Sequence, residues 1–398
     1  MKRKTFVGAS GAIAAGALSG LLPRSAALAT QPPDSSSEFR VRLFGAGVVD
    51  ALEISGVNMR AGDGSVTRLA QSVVLRDTAA GSLVDGRPWG GSEGTLTLQA
   101  DSPLRVTDRA RSLDRQYVGV LEARWTYEGL VLVNRVPVEE YVASVLASEA
   151  SSSWPFEALR AQAIAVRTFA FVARDERRLR DWDLSDDTSS QVYRGRAVLS
   201  DIFVRSSDAT RAQFIAVRDA AAQVFYSSVC GGHTASLSEL NGQSFPAHLE
   251  GIADVDAAGN AYCAAAPYYR WRNSLSKESL ARVAGVVPET LDGFSVSARW
   301  PSGRVKTVRL VRHDGTPMDM SGRQFYARAL QALGYKVLPS TLFDVQPDGA
   351  GFAFSGHGIG HGVGLCQWGA RGRADAGQRA EEILQAFFPG TQIRSRSA

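Results

Sequence analysis

Short stretches of alternating apolar and polar residues fill the chain between residues 38 and 133. Residues 39–43 and 94–98 are two examples, and Gly, Asp and Ser separate such stretches. A period of two is typical of half-buried β-strands, because successive side chains point to opposite faces of a sheet. The pattern predicts a β-rich N-terminal region over residues 38–133, in which the apolar run 129–134 is a strand that enters the core.

Helical spacing replaces this alternation after Pro137. Apolar residues recur at intervals of three and four in two sets, first Val138, Tyr141, Val142, Val145 and Leu146, then Leu159, Ala163, Val166 and Ala170. The two sets predict successive helices that begin near Pro137 and Pro155, since proline costs least in the first turn of a helix. The polar segment 175–212 is predicted to be rich in loops.

The rest of the chain mixes both kinds of pattern. Residues 303–311 alternate like a strand, residues 324–333 and 380–388 have helical spacing, and residues 356–364 read as a glycine-rich turn. These elements predict an α+β fold, with the N-terminal β-rich region packed on a mixed helix/strand catalytic core, residues 134–395. We expect the functional groove to lie between the two regions.

The N-terminus has the pattern of an export signal. Three basic residues precede a stretch rich in Ala, Gly and Leu, residues 6–22, and a small-residue site follows at 27–29. We predict a cleaved signal peptide over residues 1–29 and a Pro- and Ser-rich linker over residues 30–37. The mature protein is then expected in the periplasm, the cell wall or outside the cell, with membrane contact only during export. A retained membrane anchor is the alternative, although the apolar stretch is short for one.

The charge balance excludes one class of partner. The formal net charge is +4, and the predicted signal peptide contains four basic residues and no acidic ones. The remaining chain is therefore neutral, whereas nucleic-acid-binding proteins need clustered, excess Lys and Arg. We predict no nucleic-acid partner.

Glu149 is the most informative single residue. Counting back by four and seven along the first predicted helix gives Val145 and Val142, so the carboxylate is expected on the apolar face. Burial disfavours the charged form of a carboxylate, which suits a residue that must donate a proton near neutral pH. The alternative is that the helix ends by Ala147 and leaves Glu149 in solvent. Spacing alone does not decide between the two.

A series of motifs runs through nearly the whole predicted mature chain. It comprises Pro137, Glu139-Glu140-Tyr141, Glu149, Trp154-Pro155, Ala165-Val-Arg167-Thr168, Asp187-Thr-Ser-Ser190-Gln191-Val-Tyr193-Arg-Gly195, Cys230-Gly-Gly-His233-Thr234, Cys263 with Pro267-Tyr-Tyr-Arg-Trp271, and Gly356-His-Gly-Ile-Gly360-His361-Gly-Val-Gly364-Leu-Cys366-Gln367-Trp-Gly-Ala370. In this order the motifs resemble those of the stage II sporulation protein D / LytB amidase-enhancer family.

The resemblance implies lytic transglycosylase activity on peptidoglycan glycan strands, often those stripped of stem peptides, with no cofactor required. Glu149 matches the catalytic acid, and the residues expected to position the strand are Arg167, Asp187, Ser190, Gln191, Tyr193, His361 and Gln367. One carboxylate suffices, because the 6-hydroxyl of the muramic acid attacks in place of water and leaves a 1,6-anhydro end. Hydrolysis would need a second carboxylate, for which Asp186 and Asp187 are candidates.

The family name also implies an alternative function. This is a wall-binding module that does not cut and instead stimulates a separate N-acetylmuramoyl-L-alanine amidase. We favour the enzyme, since binding alone has no need of a buried acid, although one protein can combine both roles. Peptidoglycan strands are the predicted partner in either case, and an amidase is the second candidate partner.

Three cysteines leave open a disulfide or a metal site. Cys230, Cys263 and Cys366 each fall in a family motif, and exported proteins often carry disulfides. One interpretation pairs Cys230 with Cys263, and the other gathers Cys230, His233 and Cys263 around zinc. We favour the disulfide, because many family members place a histidine just before the Gly-Gly turn, where this chain has Tyr226.

His357 and His361 have the spacing of a zincin pair, which would suggest a metallopeptidase or a metal-dependent amidase. A zincin needs both histidines on a rigid helix with a glutamate between them. The glycines at positions 358, 360 and 362 argue against a helix, so we do not favour this interpretation.

Overall fold

The computed structural model describes residues 37–45, 51–62, 67–78, 81–88, 95–126, 129–177, 180–196, 199–242, 246–288, 291–349 and 351–396 of the 398-residue chain. The predicted signal peptide and the predicted linker up to residue 36 lie outside the described residues. None of the described helices is long and apolar enough to cross a membrane.

The N-terminal region forms one large sheet. Its strands are β1 (Glu38–Leu43), β2 (Ala51–Gly62), β3 (Thr67–Thr78), β4 (Gly81–Val84), β5 (Arg87–Pro88), β6 (Thr95–Gln99), β7 (Leu104–Asp108), β8 (Leu113–Tyr117), β9 (Val120–Thr126), β10 (Gly129–Pro137) and β11 (Leu184–Ser185). The strand order is β11-β1-β10-β9-β6-β2-β3-β4-β5. In addition, β7 pairs with β2, and β8 pairs with β7. Burial alternates along β1, so one face of that strand packs on the core.

Two long helices follow the sheet and form the centre of the core region. They are α1 (Val138–Glu149) and α2 (Phe156–Glu176), with Pro137 and Pro155 at their N-caps. The elements after them are α3 (Asp201–Ala209), β12 (Gln213–Val217), β13 (Ala220–Ala221), β14 (Tyr226–Ser227), α4 (Leu237–Asn241), a 3₁₀ turn (Ala247–Leu249), β15 (Arg270–Ser276), α5 (Lys277–Ala284), β16 (Leu291–Arg299), β17 (Val305–Arg312), β18 (Pro317–Ser321), α6 (Gly322–Leu333), β19 (Phe343–Asp348), β20 (Gly351–His357), β21 (Leu365–Cys366), α7 (Gln367–Asp375), α8 (Ala380–Phe387) and β22 (Gln392–Ser395).

The described residues form two hydrophobic cores. The larger joins the N-terminal sheet to α1 and α2 and to the C-terminal helices α7 and α8. The smaller belongs to residues 271–354, where the sheets β15-β20-β19 and β16-β17-β18 pack with α5 and α6. Within the predicted region 134–395, residues 271–354 therefore have a separate hydrophobic core. The residues before and after this unit belong to the larger hydrophobic core.

The predicted α+β class is confirmed, because described helices and strands are both abundant and the sheets are mixed. The expectation of a loop-rich segment 175–212 is wrong in one part, since α3 lies inside it. This short helix buries only Phe203, Ser206 and Ser207. So few buried apolar residues leave no periodic stripe for the sequence to reveal.

Candidate active site

Glu149 is the last residue of α1, and the preceding turns of the helix bury Val142 and Val145 completely. The alternative in which the helix ends by Ala147 is therefore wrong. Glu149 itself is half-buried and lines a pocket. The carboxylate thus lies at the edge of the core, in line with the apolar face of the helix, and remains accessible to a ligand in the pocket.

The surroundings of the Glu149 carboxylate favour its protonated form. Burial raises its pKa to about 7, and the hydrogen bonds it accepts oppose the rise only in part. These bonds are long: the Val192 N–H lies 3.4 Å from Oε1 and the Gln367 Nε2 lies 3.5 Å from Oε2. The carboxylate also sits at the C-terminal end of α1, where the helix dipole disfavours negative charge. Glu149 can therefore hold a proton near neutral pH.

One wall of the pocket is a face of α2. Phe169, Val172, Ala173 and Glu176 recur there at three- and four-residue intervals. The other lining residues are Glu149, Thr188, Ser190, Gln191, Val192, Gln223, Val224, Phe225, Tyr226 and His361. No described residue of region 38–133 lines the pocket, so the expected groove between the N-terminal region and the core is replaced by a pocket inside the core region.

A chain of hydrogen bonds runs along the pocket floor and ends at Tyr226. The Tyr141 hydroxyl donates to Gln191 Oε1 at 2.9 Å, and Gln191 Nε2 donates to the Tyr226 hydroxyl at 2.8 Å. Tyr226 therefore keeps its own proton for donation. Burial raises the pKa of Tyr226 well above its usual value, and the nearby Glu149 charge raises it further. In the sequence, Tyr226 stands out only as a departure from the family pattern.

The glycine-rich turn brings His361 to the pocket. His361 Nδ1 accepts a hydrogen bond from the Val363 N–H at 3.1 Å, so Nε2 carries the proton that it donates to the Tyr226 carbonyl, also at 3.1 Å. Burial lowers the pKa of His361 to about 4, which keeps the ring neutral. Gly364 has φ +71° and a Cβ there would lie 2.2 Å from the Phe225 carbonyl oxygen, so only glycine fits this approach.

Arg167 does not reach the pocket, contrary to its predicted role in substrate binding. It is fully buried between α1, α2 and α3, where it is paired with Glu139 and donates to the Gln213 carbonyl at 3.1 Å. The Ser207 carbonyl accepts a further bond at 3.2 Å. The guanidinium has no free donor directed at a ligand, so Arg167 holds helices together.

Tyr193 is a core residue and not a stacking surface for sugar. Its ring stacks on Tyr141 with centroids 5.2 Å apart, and its hydroxyl donates to Asn134 Oδ1 at 2.7 Å. Gln191, two residues earlier, does line the pocket, and Ser190 lines it while accepting a hydrogen bond from the Ser185 N–H. Ser190 and Gln191 therefore line the pocket, as do Thr188 and Val192 of the same segment, whereas Tyr193 packs in the core.

The two acids proposed as second carboxylates also lie outside the pocket lining. Asp186 is buried and forms an ion pair with Arg115 at 3.2 Å, and Asp187 is exposed and accepts a bond from the Ser189 N–H. The pocket does contain one further carboxylate that the sequence analysis missed. This is Glu176, at the end of α2. The residue as a whole is exposed, but the protein around its carboxylate displaces water and so raises its pKa.

The cysteines meet in the core, but not as either interpretation expected. Cys230 and Cys263 are free thiols with their Sγ atoms 3.7 Å apart, so the favoured disulfide is not formed. His233 is absent from the cluster and directs its Nδ1 to the Thr234 carbonyl. Cys366 and Asp254 occupy the remaining positions of the cluster. Neither was predicted as a ligand, because Cys366 lies 136 residues from Cys230 and Asp254 belongs to no recognisable metal-binding motif.

The suspected zincin pair is not a helical pair. Gly358 and Gly360, which lie between the two histidines, both have positive φ, so the backbone there is not helical. His357 packs its ring on Tyr269 with centroids 5.6 Å apart, whereas His361 faces the pocket.

Comparison with known proteins defines the class to which the chain belongs. Residues 126–227 match the model of a family described as Stage II sporulation protein, and residues 238–364 match a domain of unknown function. An uncharacterized protein of Brachyspira hyodysenteriae is 30% identical over 284 residues, which cover 70% of this chain and 72% of that protein.

Two relatives from Bacillus subtilis make the identification more specific. Its stage II sporulation protein D is 26% identical over 67% of this chain and 77% of that protein. Its amidase enhancer is 27% identical over 63% of this chain, which spans 40% of the length of that relative. The chain belongs to the stage II sporulation protein D / LytB amidase-enhancer family, as the motifs predicted.

Proposed function

We propose that the protein is an exported lytic transglycosylase that cleaves peptidoglycan strands between MurNAc and GlcNAc and leaves 1,6-anhydro-MurNAc ends. One observation carries the proposal: Glu149 lines a pocket, has a pKa near 7 and accepts only two long hydrogen bonds. A carboxylate under these conditions is protonated in a large fraction of the molecules near neutral pH, and it can release its proton without breaking a strong bond.

Glu149 serves as acid and then as base in the proposed reaction. Its proton goes to the glycosidic oxygen as the bond to C1 of MurNAc breaks, and the leaving GlcNAc keeps that proton. The 6-hydroxyl of the same MurNAc then bonds to C1, and its proton returns to the Glu149 carboxylate. The balance needs no water and no second carboxylate, which distinguishes the reaction from hydrolysis.

Neighbouring polar groups are suited to bind the sugar and to stabilise the developing charge. The Tyr226 hydroxyl accepts a hydrogen bond from Gln191 and has its own proton to donate in the pocket, and the neutral His361 ring borders it. Gln367 is buried beside Glu149 and orients the carboxylate through its long hydrogen bond. The apolar face of α2 offers a surface for the flat side of a sugar ring.

Wall binding without catalysis is the second candidate function, supported by the similarity to the amidase enhancer. In that role the pocket would bind a glycan strand without cleaving it, and the protein partner would be a cell-wall amidase. Either role requires delivery outside the cytoplasm, for which the predicted signal peptide is the support. N-terminal sequencing of the protein from its native host tests this, and an intact residue 1 would contradict cleavage.

Product analysis tests the proposed reaction. Purified protein is incubated with glycan strands with and without stem peptides, and mass spectrometry is expected to detect 1,6-anhydro-MurNAc ends. Glu149→Gln should eliminate these ends. Glu140→Gln is the matched control, because Glu140 lies on the same helix but is paired with Arg196 away from the pocket.

The alternative outcomes each point to a different conclusion. Reducing-end sugars from the wild type would mean hydrolysis, and Glu176 would then be the candidate second carboxylate. Binding of strands without any cleavage would favour the activator. Equal product from the wild type and Glu149→Gln would refute the assigned role of Glu149.

A further inference from the structure

We propose that Cys230, Cys263, Cys366 and Asp254 form a structural zinc site in the core. The four ligand atoms lie within 4.8 Å of one another, and all four residues are buried. The set differs from the one that the sequence suggested, since His233 is replaced by Cys366 and Asp254. The inference does not depend on the proposed glycan cleavage.

The spacing of the ligand atoms fits tetrahedral coordination. With Zn–S bonds of about 2.3 Å, two sulfurs of a tetrahedron lie about 3.8 Å apart, and a sulfur and a carboxylate oxygen lie about 3.5 Å apart. The Cys230 and Cys263 Sγ atoms are 3.7 Å apart, and Cys230 Sγ is 3.4 Å from Asp254 Oδ2. A disulfide would require the sulfurs to approach to about 2.05 Å.

Backbone N–H groups are directed at the sulfurs of Cys366 and Cys230. Cys366 is the N-cap of α7, where its Sγ accepts hydrogen bonds from the Gly369 and Cys230 N–H groups, each at 3.2 Å. Cys230 Sγ accepts one from the Gly232 N–H at 3.4 Å.

Two buried arginines compensate the charge of the site. Arg373 Nε donates to Asp254 Oδ1 at 2.9 Å, which leaves Oδ2 for a metal. Arg304 is fully enclosed and donates to the Cys230 carbonyl at 3.0 Å, while its Nε and Nη1 have no acceptor among the described residues. Three thiolates and a carboxylate carry four negative charges, which a divalent ion and the two guanidinium groups neutralise.

The site would link three parts of the chain, around Cys230, around residues 254–263 and around Cys366. Cys366 directly precedes Gln367, whose amide contacts Glu149, so the metal would fix the position of Gln367 beside Glu149. The Gly-Gly turn after Cys230 and the turn around Cys263 would be held by the same ion. The predicted effect of metal loss is lower thermal stability.

Metal analysis of the tag-free mature chain, purified under reducing conditions without chelator, tests the inference. We expect one zinc ion per chain, and after cobalt exchange a thiolate-to-cobalt charge-transfer band with the intense visible bands of a tetrahedral site. Removal of zinc should lower the melting temperature, and readdition should restore it. Cys366→Ser and Asp254→Asn should lose stoichiometric zinc, and His233→Ala is the matched control that should keep it.

Two results would overturn the zinc site. One is a Cys230–Cys263 disulfide found by non-reducing mass spectrometry of protein from the native host. The other is a folded, fully reduced wild-type chain that retains no zinc after incubation with Zn²⁺ and gel filtration. The cobalt spectrum of the wild type keeps the test decisive even where a cysteine variant fails to fold.

Discussion

Two glutamates of the same helix have opposite environments. Glu139, in the first turn of α1, accepts hydrogen bonds from the Ser207 hydroxyl at 2.6 Å and the Ala212 N–H at 3.3 Å, and forms an ion pair with Arg167. Glu149, in the last turn, accepts two bonds of 3.4 and 3.5 Å and faces a pocket. The helix dipole favours the charge of the first and opposes that of the second.

The difference separates Glu139, which has a structural role, from Glu149, which is suited to proton transfer. Glu139 is held in place by its ion pair and its short hydrogen bonds, and it does not line the pocket. A carboxylate with few, long bonds in a pocket is free to exchange a proton. Burial alone does not distinguish these cases, whereas the count and length of the hydrogen bonds do.

The sharpest test of the comparison is Glu149→Gln. We expect the rate of anhydro-product formation to fall by about 10²–10⁴-fold, the usual contribution of a general acid, while the fold and strand binding persist. Initial rates and a binding assay on the same preparation measure the two effects. A variant that loses binding to the same extent as rate would contradict a purely chemical role.

The converse change is Arg167→Met. It leaves Glu139 buried without its cation, so we expect the free energy of unfolding to fall by about 3–5 kcal/mol, as for other broken buried ion pairs. Denaturant unfolding measures the loss, and KM of the remaining folded protein should be unchanged. Adding Glu139→Gln should restore part of the stability. An increase in KM without loss of stability would instead indicate that Arg167 contributes to substrate binding.

The pH dependence of stability sharpens the contrast further. The folded-state pKa of Glu149 is raised from its usual 4.5 to about 7, so its contribution to stability is full below pH 4.5 and is lost as pH rises through 7. Glu149→Gln should therefore gain stability relative to the wild type between pH 5 and pH 8, by at most about 3 kcal/mol. A pH-independent difference in unfolding free energy would contradict the raised pKa.

The smallest expected effect is that of Tyr226→Phe. Loss of the hydroxyl removes the end of the Tyr141–Gln191–Tyr226 chain and one donor to the sugar, so we expect kcat to fall about tenfold, as for the loss of one hydrogen bond of about 1.4 kcal/mol. Rate measurements across pH give the readout. An unchanged rate would make Tyr226 a packing residue like Tyr193.

Local pattern decided much of the fold and the position of the acid. Alternation identified the N-terminal strands, and three- and four-residue spacing identified α1 and α2 and placed Glu149 on the buried stripe. These signals survive in a sequence because they depend on neighbours within two turns of helix or one strand. The ordered motifs identified the family for a related reason, since each is a short local segment.

Only the tertiary structure decided how polar residues are partnered. Motif membership treated Arg167, Tyr193 and Gln191 alike, yet only Gln191 lines the pocket. The polar groups of all three residues are hydrogen-bonded within the protein. The same holds for the cysteine cluster. Cys366 lies 136 residues from Cys230 in the sequence and Asp254 lies 24 residues from it, yet all three are in contact in the fold. The role of a polar side chain depends on its hydrogen-bond partners and solvent access, and both are set by contacts between segments that are remote in the chain.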